Sequence, residues 1–140
     1  MKLGMPDIGT GMELKLESTI IGAVAMLAPF IARIPGTAAH GADWFWSYAS
    51  GPLLLAFIAV FSLIPAAVLI GLLTMFGTGR LRFVMGMGAM TAANLILHAQ
   101  LDLASDPQAA IALVIFPVLA AFCAAIGYYA GWIIAAVLGR

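Results

Sequence analysis

Charge is what this chain of 140 residues has least of: 9% of its residues are Asp, Glu, Lys or Arg, while 64% are hydrophobic. Soluble domains run at about 25% charged and roughly 45–50% apolar. Six charges of each sign cannot cover a water-facing surface, and the apolar side chains outnumber what a domain this small could bury. That excludes a soluble enzyme and a disordered tail. The charges also cancel, with an isoelectric point near 6.7, so no basic field exists to attract nucleic acid. The expected solvent is a lipid bilayer, in agreement with a mean hydropathy of +1.13.

Cysteine is nearly missing as well. Cys123 stands alone in an apolar run, so there is no internal disulfide and no Cys/His cluster for zinc or an iron–sulfur centre. It reads as a small buried hydrophobe. The sequence also lacks a nucleophile elbow, a phosphate-binding glycine loop, an HExxH motif and a carboxylate pair within the apolar runs. The expectation is a protein without enzymatic activity. The first 17 residues carry two basic and three acidic side chains (Lys2, Lys15; Asp7, Glu13, Glu17), which do not make the positive start of a secretory signal. The first apolar run is therefore expected to be a membrane helix.

What the chain has in abundance is long apolar runs. A helix needs about 20 apolar residues to cross a hydrocarbon core of roughly 30 Å. Reading between the charges predicts four spans, at 18–34, 51–76, 83–101 and 109–138, with 1–17 as a cytoplasmic or interfacial lead-in. Residues 12–17 alternate apolar and charged, with no sheet to join. The first span is short, so Glu17 or Arg33 is expected to snorkel to an interface. Trp44, Trp46 and Tyr48 suit an aromatic belt at the headgroups. The connections are too short for an extramembrane domain and force neighbours to run antiparallel. The fold class is thus an all-α integral membrane protein, a compact bundle of four antiparallel transmembrane helices in one domain, residues 1–140. With both termini cytoplasmic, Lys2, Lys15, Arg80, Arg82 and Arg140 lie inside and only Arg33 outside, which fits a bacterial inner membrane.

Helices in lipid associate by close approach through small residues. In the fourth span Ala120, Ala124, Gly127, Gly131 and Ala135 form one small-residue stripe, and the third carries Gly88-x-x-x-Ala92. These stripes serve either packing within the bundle or docking to another chain. Pro29, Pro65 and Pro117 lie in or near the ends of spans, where each removes a helix hydrogen bond and shapes the helix.

One polar constellation stands out. Thr91, Asn94, His98 and Asp102 recur at spacings of three, four and four, which on a helix makes a continuous polar face that should avoid lipid. Asp102 lies one turn beyond His98 and is placed to accept its ring N–H. The face reads in three ways: interhelical hydrogen bonding with an interfacial His98–Asp102 pair, a proton or cation path with Asn94 at its narrow point, or metal ligation. For the last, His40, Asp43, His98, Asp102 and Asp106 gather on the outer side, with suitable ligand types but no tight spacing. No cofactor is identified, although a single histidine could ligate a pigment.

Two functions follow. The first is a small non-catalytic subunit that packs against other membrane chains, preferably in a hetero-complex. The alternative is a homo-oligomeric channel or small transporter for protons or cations, using the polar face of the third span.

Overall fold

A computed structural model of the chain describes residues 8–103 and 107–139, with side chains from residue 14 onward. The described chain is helical, with no strand. Helix α1 covers Ile8–Ile31, followed by the short α2 (Ile34–His40) and α3 (Ala42–Trp46), and then by a single 3-10 turn at Ser47–Ala49. The three remaining long helices are α4 (Pro52–Phe76), α5 (Arg80–Ala99) and α6 (Ala109–Val137).

The boundaries have local causes. Pro52 opens α4, where its missing N–H costs nothing. Gly77, at φ 97°, ends the helix in a conformation that side-chain-bearing residues avoid, and the extended Gly79 restarts the chain into α5. Gly41, at φ 83°, plays the same part between α2 and α3. The expected spans at 51–76, 83–101 and 109–138 therefore correspond to helices α4, α5 and α6 within a few residues.

The first span differs from expectation. The described part of the 1–17 lead-in, residues 8–17, is helical and continuous with α1. The apolar stretch extends further too, over Leu14–His40, with a break after Ile31 at Ala32–Arg33. Three helical stretches are long and apolar enough to cross a membrane: Leu14–His40, Pro52–Phe76 and Ala109–Val137. Helix α5 is long enough, at about 30 Å for its 20 residues, but is less apolar because it carries Arg80, Arg82, Asn94 and His98.

The four long helices pack side by side. Helix α5 lies along α6, α6 along α4, and α1 against both α4 and α5. Although a turn of only three residues joins α4 to α5, these two touch sparingly and stand diagonally across the assembly. Two apolar cores fill the centre. One gathers Ile21, Ala66, Leu69, Met90, Ala124 and Tyr128 towards the Gly77 end, and the other gathers Tyr48, Ile58, Leu101, Ala109 and Leu113 towards the opposite end. Large apolar side chains such as Leu53, Phe122, Ile126 and Val137 point outward and are exposed, as lipid-facing residues would be.

Glycine decides how closely α5 and α6 approach. A Cβ on Gly127 would stand 2.7 Å from the Ala89 Cβ, and one on Gly131 would stand 2.7 Å from the Leu81 carbonyl oxygen and 2.9 Å from the Arg82 Cα. Real Cβ atoms do not tolerate such distances, so the two helices can lie backbone to backbone only with glycine at these positions.

Candidate functional site

The most polar region of the interior is built around Arg33, which follows α1 and is wholly buried. A guanidinium has five N–H donors in a fixed plane. Its Nε and Nη2 donate to the Trp44 carbonyl at 3.0 and 2.6 Å, Nη2 also donates to Ser47 Oγ at 2.8 Å, and Nη1 donates to the Leu101 carbonyl. The Trp44 ring lies 3.8 Å and the Tyr48 ring 4.4 Å from the guanidinium carbon, and both attract the cation through their π faces. Asp102 adds electrostatic attraction. Burying a cation is costly unless its donors are satisfied, and here backbone carbonyls and aromatic faces replace water. One side chain thereby ties the α3 segment to the far end of α5.

Tyr48 continues the network inward. It too is buried, and its hydroxyl lies 2.8 Å from Nδ1 of His98 on α5. Burial raises the phenol above its ordinary range, so it stays protonated and can donate to the imidazole. Phe30 meets the Tyr48 ring edge-on at 6.2 Å, and Phe116 of α6 meets the His98 ring in the same way at 5.3 Å. His98 is 2% exposed and Asn94, one turn deeper, 1%. His98 Nε2 and both amide atoms of Asn94 are buried with no hydrogen-bond partner among the described residues. On α4, buried Ser62 bonds back to the Ile58 carbonyl at 2.6 Å.

These positions correct several expectations. Arg33 does not snorkel, because the carbonyls of Trp44 and Leu101 satisfy it inside the protein. Tyr48 lies in the core and half-buried Trp44 lies on Arg33, so of the three only Trp46, 61% exposed, faces outward. The Nδ1 partner of His98 is Tyr48, fifty residues away in sequence, and not Asp102. The buried line of α5 runs Gly86, Met90, Asn94 and His98 at a constant spacing of four. Such a line follows the i±4 ridge that packs against a neighbour. Thr91, three residues before Asn94, falls off that ridge onto an outward face beside Gly88 and Ala92.

The small residues divide in the same way. Ala120, Ala124, Gly127 and Gly131 are buried and Ala135 is half-buried, so this stripe is spent on packing within the chain. Gly88 and Ala92 are exposed and do no internal packing. Among the described residues no three His, Cys, Asp or Glu side chains converge to hold a metal ion. His40 stacks on Trp44 with ring centroids 4.5 Å apart, Asp43 is exposed, and Asp106 lies outside the described residues.

Sequence reasoning missed Tyr48 as the partner of His98 and Arg33 as the centre of the site. The signal was present for Arg33, a lone cation set between an apolar run and a proline. No known protein family, curated protein or solved structure matches this chain.

Proposed function

We propose that this protein is a non-catalytic integral membrane subunit. In this reading its four long helices all cross a bacterial inner membrane, both termini are cytoplasmic, and one helix face docks a transmembrane helix of another membrane chain. The observation behind it is the outward face of α5. A Cβ on Gly88 would meet nothing within 4 Å, and Phe83, Met87, Gly88, Thr91 and Ala92 line an open groove of about 490 Å³. A small-x-x-x-small step that faces outward, on the least apolar of the long helices, offers the backbone approach and the hydroxyl that transmembrane partners use. The stripe on α6 is occupied by α5 and is not available for that purpose.

Co-purification of the tagged protein from its own membrane in mild detergent tests this reading. Gly88→Leu and Ala92→Leu should release the partner chains while leaving unfolding of the isolated protein unchanged. Partners retained by both variants would overturn it.

A second reading, a small transporter or channel for protons or cations, draws on the buried polar atoms of Asn94 and His98. These side chains turn into the interior of one chain, so the path in this reading runs within each copy and not around the axis of a ring. Flux into proteoliposomes that is lost in both Asn94→Leu and His98→Leu would favour it over the first.

A further inference from the structure

We infer that Asn94 and His98 together hold a bound water molecule in a polar layer between the two apolar cores. Three contacts set the level of the neighbouring helices against α5. Arg33 bonds to Leu101, Leu69 Cδ1 lies 2.5 Å from a Cβ position on Gly86, and His98 meets Phe116. Counting along each helix from these contacts brings residues 26 of α1, 61 of α4 and 120 of α6 within about a turn of Asn94.

The three buried prolines converge on this layer. Pro29, Pro65 and Pro117 have no N–H to donate, so the carbonyls of Ala25, Phe61 and Leu113 lack their usual helical partners; the first two fall at the level of Asn94, and Leu113, three residues before Phe116, within a turn of His98. Residues four apart share a helix face, so these carbonyls lie on the same buried faces as the proline rings. Asn94 therefore sits among backbone acceptors, and its own amide offers both donors and an acceptor.

The chemistry of the set selects the guest. In the tautomer in which the Tyr48 hydroxyl donates to Nδ1, His98 carries its proton on Nε2, a buried donor one turn from Asn94. A cation would meet that Nε2–H head-on. An apolar guest would leave all three polar atoms unsatisfied. Water both donates and accepts, serves either imidazole tautomer, and finds the two to four partners that buried waters need. The β-carbons of residues four apart on a helix lie about 5–6 Å from one another, a span that one water bridges. The apolar core around Met90 and Leu69 closes the layer towards the Gly77 end, so the water is held and not part of a continuous file.

Asn94 is the only asparagine in the sequence, so labelling the full-length protein with 15N-asparagine gives one side-chain amide pair. In detergent micelles, cross-relaxation peaks between those two protons and a long-lived water are expected. Their absence overturns the proposal. Asn94→Leu supplies a second reading of the wild-type site. If water is bound there, the variant loses its hydrogen bonds and the folding equilibrium in SDS falls about tenfold. A variant as stable as the wild type or more so marks a dry site and overturns the proposal. Should the variant not fold, the cross-relaxation result on the wild-type protein decides alone.

Discussion

The two ends of the packed helices each carry an arginine beside a tyrosine, yet they are held by different physics. At one end Arg33 is buried, makes four hydrogen bonds and lies against Trp44 and Tyr48. At the other, half-buried Arg82 donates through Nη1 to the Phe76 carbonyl at 2.9 Å and the Gly77 carbonyl at 3.3 Å, with its guanidinium carbon 6.0 Å from the Tyr128 ring. Tyr128 also donates to the Gly77 carbonyl, at 3.1 Å. The Arg82 contacts are local and solvent-screened, closing a turn that Gly77 already shapes. What holds that end is the approach of α5 and α6 through Gly127 and Gly131. A buried charge in a satisfied cage and a glycine face are thus two solutions to one problem, joining helices whose outer surfaces are equally apolar. The cage is needed where the connecting segment, α2 to the 3-10 turn, has no long helix to pack along. The glycine face suffices where two long helices run side by side.

This contrast can be broken experimentally, and the largest effect is expected at the cage. Arg33→Leu leaves the Leu101 carbonyl buried without its donor and the Trp44 carbonyl with the Ser47 hydroxyl alone, and should cost about 3 kcal/mol or more, read as a lower SDS midpoint of unfolding by tryptophan fluorescence. Arg33→Lys should not rescue it, since a single ammonium cannot reach both carbonyls in the geometry of the planar fork. At the other end Gly131→Leu forces the α6 side chain onto the Leu81 carbonyl and should cost about 1–3 kcal/mol in the same titration, while Arg33 and its partners remain in place. Tyr48→Phe keeps the ring against Arg33 but removes the hydroxyl from His98, a loss of about 1 kcal/mol. With 15N-histidine labelling, this variant should also shift the ring nitrogen signals of His98 and leave those of His40 alone. The smallest effect is expected for Arg82→Gln, about 0.5 kcal/mol or less, because its bonds are exposed. An effect as large as that of Arg33→Leu would refute the distinction between the two ends.

Much of the helix pattern was legible in the sequence. Runs bounded by Gly51–Pro52, Gly77 and Gly79 read directly as α4 and the start of α5, since glycine and proline act on their own backbone whatever surrounds them. The α6 stripe of Ala120, Ala124, Gly127 and Gly131 was legible as a packing face, because small side chains at helical spacing need only a neighbour of any kind. Which neighbour took it was not. The same limit applied to the polar face. Spacing alone made Thr91 equivalent to Met90 as a companion of Asn94, and only the direction of the ridge against α6 buried Met90 and turned Thr91 outward. His98 was expected to pair with the nearest carboxylate in sequence, but a donor fifty residues away was nearer in space.

The sequence by itself determined that this chain is helical and apolar, roughly where each helix starts and stops, and which positions are small enough for close approach. These properties follow from local backbone preference and from the shortage of charge. Only the tertiary structure decided the fate of the long polar side chains. Arg33 could extend to water or fold inward, and the choice turned on whether distant carbonyls and aromatic rings were assembled around it. Ordering such a side chain repays its desolvation only when several partners from separate segments arrive together, and no local stretch of sequence encodes that coincidence.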